Sequence, residues 1–247
     1  MRWKYYLTGI LLILVGFIQN FVPQIFIDNL TSAVFFIIFM VGTIFIYEGL
    51  TLDLAKKSTI KTIIKNKKNL TSFLIISFIG GFLLELIVHG VGKLWVYPYW
   101  NLLSYLTFLI PGFAIYWLEI IESYYAIKYS LDYFYKGKHK INKKIRGERT
   151  IFIILGILGL IILLFSIFFF IQTLEVSGKF FFNLNDISMK TNNYVANFSI
   201  VLLMFLGLWF LLEFIEFKRK RTSLIKDTLL GYFNPLLGII LGSFILA

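Results

Sequence analysis

The chain has 247 residues, of which 59% are hydrophobic, 19% aromatic and only 15% charged, and its mean hydropathy is +0.83. Soluble domains are about a quarter charged, so these proportions exclude a water-covered globule and make lipid the natural solvent. The 24 Lys and Arg against 13 Asp and Glu give a net charge of +11, which in a soluble protein would point to nucleic acid. The absence of cysteine removes disulfides, thiolate metal sites and cysteine nucleophiles. His89 and His139 are the only histidines, so any metal would be a hard cation on carboxylates; no metal site and no cofactor is expected.

Seven apolar runs follow one another near 5–27, 32–52, 70–91, 102–127, 150–172, 195–217 and 229–247. Each approaches the roughly 20 residues that a helix needs to cross a hydrocarbon core. The first follows Arg2 and Lys4 as a secretory signal would, but no small-x-small cleavage site comes after it, and it reads as a retained signal anchor. Stretches such as 151–171 are apolar on every side rather than alternating, which excludes a barrel. The predicted fold is all-α, a polytopic transmembrane bundle of about seven helices. Midway along the fourth run, Pro111 and Gly112 predict a kink whose freed carbonyls must face protein or a cavity.

Sorting the cations by loop gives the orientation. Those preceding run one, between runs two and three, between four and five, and between six and seven account for 21 of the 24. The alternate loops hold only Lys93, Lys179 and Lys190. The positive-inside rule then places the N-terminus in the cytoplasm, in a multi-pass protein of the cell membrane. The basic charge belongs to topology, so nucleic acid is not an expected partner. The basic loop 128–149 interleaves Tyr129, Tyr133, Phe134 and Tyr135 with its cations, a composition suited to an anionic leaflet as well as to plain solvation. Oligomeric state is not indicated.

An offset of 165 positions superposes Gly42 on Gly207, Phe45 on Phe210, Glu48 on Glu213, Ser58 on Ser223, Lys61 on Lys226 and Asn69 on Asn234. Four polar matches at one offset predict an internal repeat within a single transmembrane domain, 1–247: a first half over 1–127 and a shortened second half over 150–247. The copies begin four spans apart and are expected to run parallel, as an incomplete four-plus-four arrangement. At this offset Ala247 falls on Phe82, so the second copy stops before a counterpart for Glu85.

Ionisable groups inside spans are costly and therefore informative. Glu48, Glu119 and Glu213 all fall near the cytoplasmic boundary of their runs, and Glu122 follows Glu119 by one turn on the same face. Glu213 and Glu216 run into Lys218–Arg221, where simple pairing accounts for them. Glu48, Glu119 and Glu122 fit proton sharing, acid catalysis or a cation site. Glu85 and His89, spaced i, i+4, share one helical face and are followed by Trp95 and Tyr97. That set fits a proton held near neutral pH beside aromatics that could shield a carbocation; it also fits a satisfied ion pair below an interfacial aromatic belt.

Glu85, His89, Gly90, Trp95, Tyr97 and Pro98, with Pro111, Gly112 and Glu119, resemble the acid, Trp-x-Tyr and proline-with-distal-glutamate layout of small prokaryotic membrane proteins of carotenoid biosynthesis, namely heterodimer-type lycopene cyclases and carotenoid hydratases. The resemblance covers about residues 80–122. Its acids stand directly after the proline, whereas here Gly112 to Leu118 separate Pro111 from Glu119. It implies a helical bundle of duplicated halves acting on a lipophilic polyene without an external cofactor. In that role Glu85, assisted by His89, would be the acid and Glu119 a proton acceptor, with Trp95, Tyr97, Pro111, Gly112, Glu48 and Glu122 lining the substrate. A small proton- or cation-coupled transporter and a non-catalytic membrane scaffold stand beside this enzyme as alternatives.

Overall fold

A computed structural model describes residues 3–21, 29–91, 107, 110–135, 145–177, 194–219 and 223–246. All regular structure among them is helical: α1 (Trp3–Phe21), α2 (Asn29–Ala55), α3 (Thr59–Ile64), α4 (Lys67–Glu85) continuing into a π-helical segment (Leu86–Val91), α5 (Ile110–Tyr135), α6 (Glu148–Ser177), α7 (Tyr194–Lys218), α8 (Leu224–Leu229) and α9 (Asn234–Leu246). The all-α expectation holds, and every expected apolar run contains a helix.

Among the described residues, four helical stretches are long and apolar enough to cross a membrane: Ala33–Ala55, Lys67–Val88, Glu148–Gln172 and Phe198–Lys218. This is fewer than the seven spans read from the sequence. Helix α5 carries Glu119, Glu122, Lys128 and Asp132, the apolar stretch of α1 is the shorter Trp3–Ile18, and α9 has 13 residues, about 20 Å of helix. Helix α5 also continues to Tyr135, so the expected basic loop begins as helix, with Tyr125 and Tyr129 stacked at 5.7 Å.

Burial is inverted relative to a soluble protein. Leu74, Ile75, Ile76, Phe78 and Ile79 on α4 are exposed, while Glu48, Thr51, Glu122, Ser123, Ser166 and Asn234 are buried. Apolar surface on this scale is compatible with lipid rather than water. The chain is an integral membrane protein by this criterion.

By contacts the chain divides into two compact units, Met1–Phe82 with Tyr99–Lys138 and Asn234–Ala247, and Leu83–Pro98 with His139–Phe233. In the first, α1 and α2 form a hairpin, α5 packs on α2, and α9 packs on α5. Small residues allow the close approaches, as expected where lipid supplies no hydrophobic drive between helices. A Cβ on Gly42 would stand 2.8 Å from Ile13 N and 2.9 Å from Gly9 O. Phe113 and Trp117 of α5 lie over Gly81 and Gly80 of α4, and Gly238 and Gly242 of α9 face Tyr124 and Ser123.

In the second unit, α6 and α7 form the corresponding hairpin. A Cβ on Gly207 would stand 2.9 Å from Leu163 N and 3.0 Å from Gly159 O. Ile87 and Val88 of the π-helical segment pack with Val201 and Met204 of α7. In each unit the hairpin's second helix is followed by a six-residue elbow helix that the apolar pattern did not reveal. Helix α2 gives way to α3 at Lys56, whose φ of 57° is the left-handed conformation that ends helices.

Candidate functional site

The α2–α5 interface of the first unit holds three buried carboxyl groups, because the polar faces of two otherwise apolar helices are turned toward each other. On α5, Glu119 and Glu122 are separated by one turn and lie on the face that also buries Ser123 and Ala126. On α2, Glu48 and Thr51 are fully buried at the same helical spacing. Glu48, Glu119 and Glu122 thus share one interface, with Glu119 and Glu122 engaged in different ways, whereas Glu213, which the depth of its run had set level with Glu48 and Glu119, belongs to the second unit.

The Thr43 hydroxyl is within hydrogen-bonding distance of both Glu119 Oε1 and, at 2.7 Å, the Met40 carbonyl, and its single proton serves one acceptor or the other. Glu48 accepts from the Ser58 hydroxyl at Oε1 and from the Thr59 N–H at Oε2, the latter at 3.2 Å. Ser58 in turn caps α3, its Oγ accepting from Lys61 N at 2.9 Å with the extended backbone of an N-cap. Glu122 faces Glu48 and lies near Thr59. Its buried oxygens make no hydrogen bond of good geometry with any described residue, the contacts to Glu48 and Thr59 being close but poorly aligned, and the buried Thr51 hydroxyl has no partner among the described residues either. No described cation pairs with any of the three acids, and no group of three or more His, Asp or Glu among the described residues could hold a metal ion.

The second unit repeats one part of this construction. Glu213 accepts from the Ser223 hydroxyl and, at 3.2 Å, from Ile225 N–H, while Ser223 caps α8 by accepting from Lys226 N at 3.1 Å. Three of the residues that matched at an offset of 165, Glu, Ser and Lys, are therefore the acid, the cap and the capped amide of one local geometry. Sequence reasoning noted Ser58 only as a repeat match; the Glu-x9-Ser spacing common to both copies was the available signal. Thr43, Thr51 and Thr59 carried none.

Glu85, at 4% exposure, ends α4 and belongs to the second unit, whereas Glu48, Glu119 and Glu122 belong to the first. His89 lies on the π-helical segment, but its side chain, together with Trp95 and Tyr97, lies outside the described residues. Pro111 is exposed near the start of α5, and among described residues nothing approaches within 4 Å of a Cβ placed on Gly112. The kink expected there turns on the chain leading into Ile110, of which residues 108 and 109 lie outside the described ones. The chain matches no family model, no curated protein and no solved structure.

Proposed function

We propose that this integral membrane protein is a small proton- or cation-coupled transporter of the cell membrane whose ion-binding group is the Glu48–Glu122 pair. The observation that carries the reading is the Glu122 carboxyl group, fully buried, met by no cation among the described residues and set against a second acid. A lone carboxylate costs several kcal/mol in such surroundings, and two adjacent ones cannot both ionise freely. A shared proton or monovalent cation removes that cost, and reversible loss of the ion gives the protein a two-state chemistry. A purely structural acid would be expected to meet a cation or a set of donors, as Glu213 does. The basic segments 128–149 and 218–226 serve as contacts to an anionic leaflet.

Reconstituted vesicles enclosing a pH-sensitive dye test this directly. Wild-type protein is expected to acidify or alkalinise the lumen under an imposed cation or proton gradient, Glu122→Gln to be inactive, and Glu216→Gln to retain flux. Absence of ion movement with the wild-type protein under both gradients overturns the transport reading.

A second reading, proton chemistry on an acyclic polyene at Glu85, is favoured by the π-helical segment that directly follows this buried acid, since such segments occur often at functional sites. Co-expression with an acyclic carotenoid is its test; an unchanged pigment profile removes it.

A further inference from the structure

The two elbows are built alike but are not secured alike. In the second unit Glu213 has its donors in place: Trp209 Nε1–H gives a 3.0 Å bond to Oε1, while Ser223 and Ile225 serve Oε2. Helix α8 is also tied to α6 by Lys226 and Glu148 at 2.6 Å. In the first unit Ile44 occupies the place of Trp209, and Lys61, the counterpart of Lys226, is exposed. Glu48 faces an acid, Glu122, in place of an indole.

We infer that the α3 elbow is a gate controlled by the ion shared between Glu48 and Glu122, and that the α8 elbow is a fixed copy of the same part. The inference rests on the reading that this pair binds an exchangeable ion. With the ion present, Glu48 accepts from Ser58 and Thr59 and holds α3 in place. With the ion lost, two negative charges face each other inside protein, and the response open to Glu48 is to leave the pair. Its bonds to Ser58 and Thr59 go with it, and α3 loosens. Among the described residues the surrounding groups offer no compensating charge: Thr51 and Tyr47 on α2, Ser58 and Thr59 on α3, and Glu119 and Tyr116 on α5, with Thr43 bonded to Glu119. On α1, Tyr6 donates to Asp53 at 2.9 Å. On α9, Asn234 bonds Asp132 at 2.6 Å. Lys56 and Lys57 in the α2–α3 turn are exposed.

The chain has no cysteine, so single thiols can report on each elbow. Ile63→Cys on α3 and Thr228→Cys on α8 are equivalent, half-buried positions. The ratio of their maleimide-labelling rates in lipid vesicles cancels the pH dependence of thiol reactivity. From about pH 5 to about pH 9 this ratio is expected to rise about fivefold or more, and to stay flat in Glu122→Gln. A flat ratio in otherwise wild-type protein overturns the gate whether or not the variant folds, as does an equal rise in Glu122→Gln. The infrared carboxyl stretch of the same vesicles separates the two levels. A titrating band with a flat ratio overturns the gate alone, whereas no titrating band removes the ion-binding reading along with it.

Discussion

The Ser58 hydroxyl lies between two elements, donating to the Glu48 carboxylate of α2 while accepting from the Lys61 N–H that opens α3. One side chain therefore anchors the elbow and caps it. Ser58→Ala removes both bonds, and Ser223→Ala does the same in the second unit. Loss of an N-cap costs about 1 kcal/mol, and stranding the buried acid adds about 1 to 3 kcal/mol. Denaturant unfolding in detergent is expected to show similar losses for the two variants.

Glu48 and Glu122 are neighbours with opposite expected effects. Glu122→Gln removes a buried acid that faces a second acid and is expected to be neutral or stabilising. Glu48→Leu strands the Ser58 hydroxyl and Thr59 N–H and is expected to destabilise by about 1 to 3 kcal/mol. Equal destabilisation by both substitutions would contradict the assignment of Glu48 as anchor and Glu122 as ion-binding group.

Glycine positions give a sharper contrast. A methyl group at Gly42 or Gly207 meets backbone atoms 2.8 to 3.0 Å away, which cannot yield without separating the hairpin helices. Gly42→Ala and Gly207→Ala are each expected to cost about 1 to 3 kcal/mol. Gly112→Ala, in a helix with no described residue within 4 Å of the added methyl group, is expected to stabilise by about 0.5 to 1 kcal/mol. Thermal unfolding of the three variants side by side checks the ordering.

The Lys226–Glu148 pair is half in solvent, with side-chain exposures of 35% and 24%. Lys226→Met is therefore expected to cost no more than about 1 kcal/mol, and the difference from wild type should shrink as salt is raised. Unfolding midpoints at low and high ionic strength decide this.

Much of the architecture was legible before any coordinates. Helices uniform in Ile, Leu and Phe, such as α6, announce lipid and helix together, because nothing alternates and little is charged. That same uniformity hid the pairing: a helix apolar all round has no stripe to show which side meets which neighbour. Glycines and acids were the exceptions, and Glu119 with Glu122 did mark the buried face of α5. The partner of Glu122 was not legible, because Glu48 lies on another helix and only folding brings the two together. The elbows α3 and α8 escaped for a different reason: six residues are too few to carry a periodic pattern, and their signature was a Ser ten positions after a Glu.

The hairpins differ at one contact in a way that their shared plan makes conspicuous. In the first, Tyr6 of α1 lies over Gly49 of α2; in the second, Phe214 of α7 lies over Gly156 of α6. Gly156 occupies the place of Tyr6, and Phe214 that of Gly49, so ring and hollow have changed helices. Mispairing between copies is thereby penalised: α1 against α7 would set ring against ring, and α6 against α2 would leave a void. Two look-alike hairpins inserted from one chain can thus each recognise their own mate, a fidelity that their common glycines alone would not provide.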